Sequence, residues 1–475
     1  MDKYKKLFSN TLIFALGTFS SKILSFLLLP FISAIIGVSD FGAADLVQQT
    51  VNVLVPIVTL AVNSAALRFA LDKATNKRSV FTTGITVTFC GFFVFVCLTP
   101  LISRIKIEDF ALGEYIVLIS VFLLVSSMRQ LCQQFVRGMG WVRLYAIDGV
   151  IATATYLVFT LLYIGAFKWG VNGMILAIVT SDALSVLFLF VVGRLGYFLR
   201  FNRLRKSVTS QMLKYCVPLI PTVILWWIIN VSDRYMVTYF AGLEANGLYA
   251  AASKIPNFVV LFSSIFIDAW QLSAVDEYDN KGRAKFFSNI FRVYSGSIFA
   301  VGSCLILFTK LITSILLSDA YYESWKFTPI LIMSTVFSCL VNFLASVYMA
   351  EKKSVMAFLT ASSGAVTNVA LNFLLIPKFG GNGAAIATVC SFVIVFIFRS
   401  INTRKYVKIK FNTPKIILNT VLLAAQSALL ILDPQGKGIW YVAALTVVVV
   451  ALNVKPILEI AKLLIGKYLK RSKKA

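Results

Sequence analysis

Long apolar runs separated by short charged stretches occupy this chain from end to end, and that pattern leaves it few folds. A bilayer's hydrocarbon layer is about 30 Å thick, so a helix needs about 20 apolar residues to cross it. Within that layer the backbone must satisfy its own hydrogen bonds, which favours helices over open strands. Fourteen runs meet the requirement: 11–36, 45–67, 80–103, 113–135, 145–166, 171–194, 212–240, 247–271, 289–317, 327–350, 355–376, 381–400, 414–432 and 438–460. Of the 475 residues, 59% are hydrophobic and 14% charged, too apolar for a surface that faces water. No polar stretch is long enough for a separate soluble domain. The expected class is an all-α integral membrane protein with about 14 transmembrane helices.

Charge orients the runs. Lys and Arg concentrate in alternate connections: Lys73, Lys77 and Arg78; the cluster from Arg200 to Lys206; Lys281, Arg283 and Lys285; Lys352 and Lys353; and Arg404 to Lys410. The remaining connections hold few cations. By the positive-inside rule both termini are expected in the cytoplasm. The net charge of +25 is therefore a record of topology, and it lacks the interleaved aromatic surface of a nucleic-acid binder. The basic tail from Lys467 to Lys474 is expected against anionic lipid. Although Lys3, Lys5 and Lys6 precede the first run, it is too long for a signal h-region and is expected to be retained.

Two echoes suggest duplication. KWGVNG (168–173) returns 210 positions later as KFGGNG (378–383), each ahead of an apolar run; GVSDFG (37–42) returns as GLEANG (242–247), 205 positions on. Runs six apart cross the membrane in the same direction. The echoes thus predict two parallel-related six-helix lobes around a central cavity, residues 1–206 and 207–411, followed by two C-terminal helices and a basic tail over 412–475. Turn preference for Gly and Asn would give similar motifs without duplication. Paired lobes around a cavity suit an alternating-access transporter.

Several chemistries are absent. The chain has no His, so His-dependent hydrolysis, metal binding and proton relays are excluded. Seven dispersed Cys show neither metal spacing nor a disulfide framework, and no phosphate-cradling loop suggests ATP hydrolysis. No cofactor is expected. A polymerase or ligase would need a larger outer loop or a cluster of reactive groups.

The stretches NVALNFLLIPKFGGNGAAIATV (368–389), DRYMVTYFAGLEANGLYAAASKI (233–255) and NTLIFALGTFSSKILSFLLLPFISAIIG (10–37) resemble the polysaccharide transporter, or Wzx-type oligosaccharide flippase, family of the multidrug/oligosaccharidyl-lipid/polysaccharide exporter superfamily. The resemblance covers roughly residues 5–410. It implies a flippase that moves undecaprenyl-pyrophosphate-linked oligosaccharide repeat units across a bacterial plasma membrane, alongside a polysaccharide polymerase. A multidrug exporter of the same superfamily and a flippase for a peptidoglycan or teichoic precursor remain alternatives.

A lipid pyrophosphate brings negative charge into hydrocarbon, where each uncompensated charge costs at least about 2.5–3.5 kcal/mol. Cations within the runs are candidates for that anion: Lys22, Arg68, Arg234 and Lys254, with Arg129 less central. Arg234 also adjoins Asp233 and would suit a structural ion pair, while Arg68 and Arg129 would suit interfacial anchors. Asp182, mid-run, is the candidate for proton or Na⁺ coupling, or for pairing with a cation. Asp45, Asp148 and Asp268 lie nearer the ends of their runs. Trp226, Trp227, Tyr235, Tyr239, Tyr249 and Trp270 suit sugar stacking or packing; Asn230, Asn342, Asn368 and Asn372 suit sugar hydroxyls or interhelical bonds.

Overall fold

The computed structural model describes residues 26–472 apart from 109, 204, 277–282, 352 and 434–436. Lys22 and most of the first run lie outside the described residues, as do the side chains of Asp268 and Trp270. The chain is all-α and membrane-spanning. Ten helical stretches are long and apolar enough to cross a membrane. Two of them, Lys206–Ser264 and Val355–Thr403, have 59 and 49 residues. At 1.5 Å per residue each suffices for two passes of a 30 Å layer. With the apolar helix Ile439–Val454, the described residues hold about thirteen, in rough agreement with the fourteen expected.

Contacts group the chain into two compact units: Met1–Ala250 with Leu316–Tyr321, and Ala251–Ile315 with Tyr322–Ala475. In the first unit, α1 (Leu29–Ile35) leads through an extended Gly37 into α2 (Val38–Val58) and α3 (Val62–Leu71). The run predicted over 45–67 is thus longer and broken. Leu60 and Ala61 both take left-handed φ, 49° and 53°, and the Ala61 amide reaches back to the Pro56 carbonyl at 2.8 Å. That closure ends α2 as a Schellman-like cap, without the Gly that would have announced it. Then follow α4 (Lys77–Ile102), a hairpin of β1 (Lys106–Ile107) and β2 (Phe110–Ala111), α5 (Ile116–Gly138), α6 (Val142–Thr160) with a π-helical end over Leu161–Ala166, and α7 (Gly170–Val192). The two-residue strands lie in a connection and leave the helical class intact.

α8 (Lys206–Cys216) precedes α9 (Ile220–Ala252), which breaks at Gly242, φ 85°. Core packing in this unit joins Val62, Ala65 and Ala66 of α3 to Phe81, Leu131, Phe135 and Leu189. The small α3 residues let neighbouring helices approach closely, as membrane helix packing requires.

The second unit contains α10 (Asn257–Asp276), α11 (Arg283–Leu307), α12 (Thr309–Leu316), α13 (Thr328–Ala350), α14 (Ser354–Thr403), α15 (Thr413–Leu432) and α16 (Ile439–Ser472). α12's last residue belongs by contacts to the first unit. α13 packs on α14, and α11 on α13, α15 and α16. Aromatic rings fill this core: Phe291 meets Phe343, Phe396 and Phe411, and Tyr294 stacks on Phe266. The predicted run 289–317 divides between α11 and α12, while 355–376 and 381–400 join in α14 through a non-helical Gly380.

The echoed motifs agree at one glycine, although the opening glycines of the other pair, Gly37 and Gly242, differ with φ of −66° and 85°. Gly170 and Gly380, each third in its motif, have φ of 53° and 55°, a conformation only Gly takes without strain. The other pair of motifs packs one against the other inside the first unit. A Cβ on Gly42 would meet the Leu243 carbonyl at 2.4 Å, and a Cβ on Gly247 would meet the Val38 carbonyl at 2.0 Å. Shifting 42 and 38 by the same 205 positions gives 247 and 243, so the contact is reciprocal, as a local two-fold relation requires. Asn246 Nδ2 adds a bond to the Gly42 carbonyl at 3.1 Å. Turn preference alone explains none of this pairing.

Candidate functional site

Charged side chains inside apolar helices concentrate in the first unit, in two clusters. In one, α2 supplies Asp45 and α9 supplies Asp233 and Arg234, all buried. Arg234 Nη1 pairs with Asp45 Oδ2. Tyr249, beyond the Gly242 break, donates its hydroxyl to Asp233 Oδ2 at 2.5 Å, so the break brings a phenol back onto the helix that carries the acid. Around this pair, the Thr50 and Tyr235 hydroxyls share a hydrogen bond of 2.9 Å, and Trp227 donates its indole N–H to the Gln49 carbonyl at 3.2 Å. Three of the aromatics considered for sugar stacking are therefore hydrogen-bonded within the protein. Tyr239 is exposed.

Two carboxylates around one guanidinium leave this cluster formally one charge negative. A buried ion pair compensates its own desolvation only while both partners remain. Arg234 accordingly pairs with Asp45, an acid from another helix, beside the adjacent Asp233.

The second cluster joins α5, α6 and α7. Arg129 Nη1 pairs with Asp182 Oδ1, and Ser126 donates to Asp182 Oδ2 at 2.5 Å. The Arg129 side chain is 25% exposed and that of Asp182 6%, so the pair is held from one side by protein and reached from the other. Asp148 is fully buried and accepts from Gln133 at 2.7 Å and Ser185 at 2.5 Å, both neutral donors. Among the described residues no salt bridge reaches Asp148. A carboxylate in this setting is better suited to exchanging a small cation than one already paired with arginine. Position along the run hid it, because Asp148 stands only six residues into α6, where an interfacial acid is expected.

The other cations are placed differently. Arg68 is exposed, its guanidinium over the Tyr215 ring at 4.6 Å, an arrangement that holds it without neutralising it. Lys254 belongs to the second unit and is half-buried in the turn between α9 and α10, ahead of Pro256. Broken membrane helices of this kind free backbone groups to meet polar partners. Sequence reasoning missed Arg399 of α14, 1% exposed, which donates to the Val341 carbonyl at 2.9 Å and Thr360 Oγ1 at 3.1 Å and lies beside the Tyr348 ring. It stands at the end of the run 381–400, where an interfacial arginine is ordinary. Nearby in the same unit, Asn372 donates to Asn368 Oδ1 at 2.9 Å, and Asn368 to Thr388 at 3.3 Å.

Broken membrane helices, an internal repeat and buried charge define the class: a multi-pass protein with a transporter fold. A lipid II flippase MurJ in an inward closed conformation superposes with a TM-score of 0.68 and 14% identity, over 96% of this chain and all of that one. An inward-facing multidrug resistance MATE family transporter of the MOP superfamily gives 0.63 and 12%, over 81% of this chain and 95% of that one. A MOP superfamily transporter from Pyrococcus furiosus, described as having a binding pocket of reversed polarity, gives 0.60 and 13%, over 83% and 95%. At these identities the likeness is one of fold. By sequence, the chain matches the polysaccharide biosynthesis protein family over residues 7–271 and belongs to it. An uncharacterized membrane protein of Methanocaldococcus jannaschii is 28% identical over 199 residues, which is 40% of this chain and 38% of that relative's length.

Proposed function

We propose that the protein moves lipid-linked oligosaccharide repeat units, carried on undecaprenyl pyrophosphate, from the inner to the outer leaflet of a bacterial plasma membrane by alternating access. The observation that carries this reading is the membership of a polysaccharide biosynthesis family by a chain whose described connections between spans are short. Such a chain has little room for the domain of a glycosyl-transferring enzyme, whereas translocating the membrane-bound intermediate needs only helices. In this reading both termini are cytoplasmic, the lobes are residues 1–206 and 207–411, and a polymerase takes the product on the outer side.

Lys22, Arg68 and Lys254 supply cationic charge for the pyrophosphate, each lowering a cost of at least about 2.5–3.5 kcal/mol per buried charge. Arg234 contributes through its pair with Asp45, holding α2 against α9. Proton or Na⁺ coupling falls to Asp182 or, on its neutral surroundings, to Asp148.

The test is transfer of an undecaprenyl-pyrophosphate oligosaccharide in sealed proteoliposomes, scored by access of a sugar-cleaving enzyme. Protein-dependent transfer that is lost in Lys22→Ala and Lys254→Ala supports the reading. Absence of transfer in a preparation that moves organic cations overturns it. One observation favours that second reading, multidrug export: the first unit buries Asp45, Asp148, Asp182 and Asp233, an excess of acid over Arg234 and the partly exposed Arg129.

A further inference from the structure

A second concentration of charge, of opposite sign, lies in the second unit and belongs to none of the clusters above. A cavity of about 490 Å³ opens between the start of α11, the segment leading into α15, and α15 and α16 themselves. Its lining includes five cations, Lys285, Arg292, Lys408, Lys410 and Lys415, and no carboxylate among the described residues.

Local structure sets this convergence. Lys285 and Arg292 are seven residues apart on α11 and so share one helix face. Between Val407 and Lys410 the chain is non-helical and turns at Lys408, where the Ile409 amide bonds the Val407 carbonyl at 2.8 Å; Val407 and Ile409 are buried while Lys408 and Lys410 are exposed. The Lys410 amide donates to Ser288 Oγ at 2.9 Å, which fastens the segment to α11 and holds both its lysines beside Lys285. Asn412 Oδ1 then caps α15 at the Lys415 amide. Like charges held around one cavity repel, and an anion between them relieves that repulsion.

The rest of the lining is not that of a site for a free anion alone. Asn419 and Asn453 are buried and joined by an amide hydrogen bond of 2.9 Å, giving the cavity a neutral polar wall. Phe291 and Ile416 form an apolar one. Ile416 also lines an adjoining cavity of about 380 Å³ made by Phe337, Phe396, Ile397 and Val421. Beside it α15 presents exposed Ile417, Leu418 and Val421, a face suited to hydrocarbon. Cations next to an apolar slot on a membrane-facing helix match a molecule with a phosphate at one end and an acyl chain at the other.

We propose that this cavity binds the phosphate headgroup of an anionic membrane lipid, with an acyl chain along the α15 slot. The site gives the two C-terminal helices, which carry no motif of the repeat, a task of their own. It stands whichever substrate the protein transports.

Intact-mass measurement of the full-length protein in mild detergent tests this, with cardiolipin and phosphatidylglycerol as anionic probes and phosphatidylcholine as control. A basic residue near an anionic lipid contributes about fivefold in affinity, so Lys285→Gln/Lys410→Gln/Lys415→Gln should weaken cardiolipin binding about a hundredfold and leave phosphatidylcholine unchanged. Should the triple variant fail to fold, the exposed single variant Lys410→Gln should still show about a fivefold loss. Equal retention of cardiolipin by wild type and variants, or retention of phosphatidylcholine as tight as that of cardiolipin, overturns the proposal. Inorganic pyrophosphate forms a separate arm: thermal stabilisation by it, with no preference for anionic lipid, would assign the cations to a soluble anion and likewise overturn the lipid site.

Discussion

The two units solve the problem of polar groups inside a membrane helix differently. The first buries carboxylates and pairs two of them with arginine, Asp45 with Arg234 and Asp182 with Arg129. The second relies on neutral amides: Asn419 with Asn453, Asn372 with Asn368, and Gln426, whose amide donates to Thr446 at 2.7 Å and whose oxygen accepts from Ser303 at 3.0 Å. Even its buried Arg399 is held by a carbonyl and a hydroxyl. Amide networks are cheap to assemble and fix helix register. Ion pairs are costly unless both members are present, so the first unit's interior is the one that a proton, a cation or a substrate anion can perturb most.

The largest consequence concerns Arg234. Arg234→Leu leaves Asp45 buried without its cation and should destabilise the protein by about 3–5 kcal/mol, read as a fall in the unfolding midpoint in detergent. Asp45→Leu/Arg234→Leu should recover most of that loss. If the double variant is as unstable as the single one, the pair is not the unit of stability and the contrast between the units fails. Arg129→Gln should cost less, about 1–2 kcal/mol, because the pair is less buried than Arg234 with Asp45 and the variant keeps a hydrogen-bond donor for Asp182.

How much of this was legible beforehand depended on whether the signal was local. Apolar runs and charged connections are, and they specified the helical membrane class. The glycine echoes also proved informative, because the left-handed φ at Gly170 and Gly380 needs the same residue at the same place. The break in the second run was not legible: Leu60 and Ala61 take conformations that their side chains disfavour, and only the tertiary setting imposes them. The long-range half of the charge pairing was hidden too: Asp233 adjoins Arg234 in sequence, but nothing local points to Asp45, 189 residues away. The basic cavity was equally hidden: Lys285, Lys408 and Lys410 read as a topology signal, while Arg292 and Lys415 stand just inside the apolar runs 289–317 and 414–432.

Next in size are the echoed glycines. Gly170→Ala and Gly380→Ala each add a Cβ with room around it, ordinary contact with Asp40 at 3.7 Å in the first case and nothing within 4 Å in the second. The cost is then backbone strain alone, about 1–3 kcal/mol for a conformation that favours Gly, and it should be nearly equal in the two variants. A tolerated Gly170→Ala beside a disruptive Gly380→Ala would show that the matching φ values arise from separate local needs.

The smallest effect tests the amide side of the comparison. Asn453→Leu removes its hydrogen bonds to Asn419 and the Val449 carbonyl, and it places branched carbon where Asn453 Oδ1 now approaches Gly296, 3.1 Å from the site of a Cβ there. Interhelical polar bonds in membranes average about 0.6 kcal/mol and reach about 1.7, so a loss within that range is expected, below that of Arg234→Leu. Asn453→Gln would keep the chemistry while changing reach, and separates bonding from packing: if Leu and Gln cost the same, the close approach of α16 to α11 matters and the amide does not. A loss of 3 kcal/mol or more from Asn453→Leu alone would mean that the neutral network is as indispensable as the ion pairs, and the division of labour between the two units would be gone.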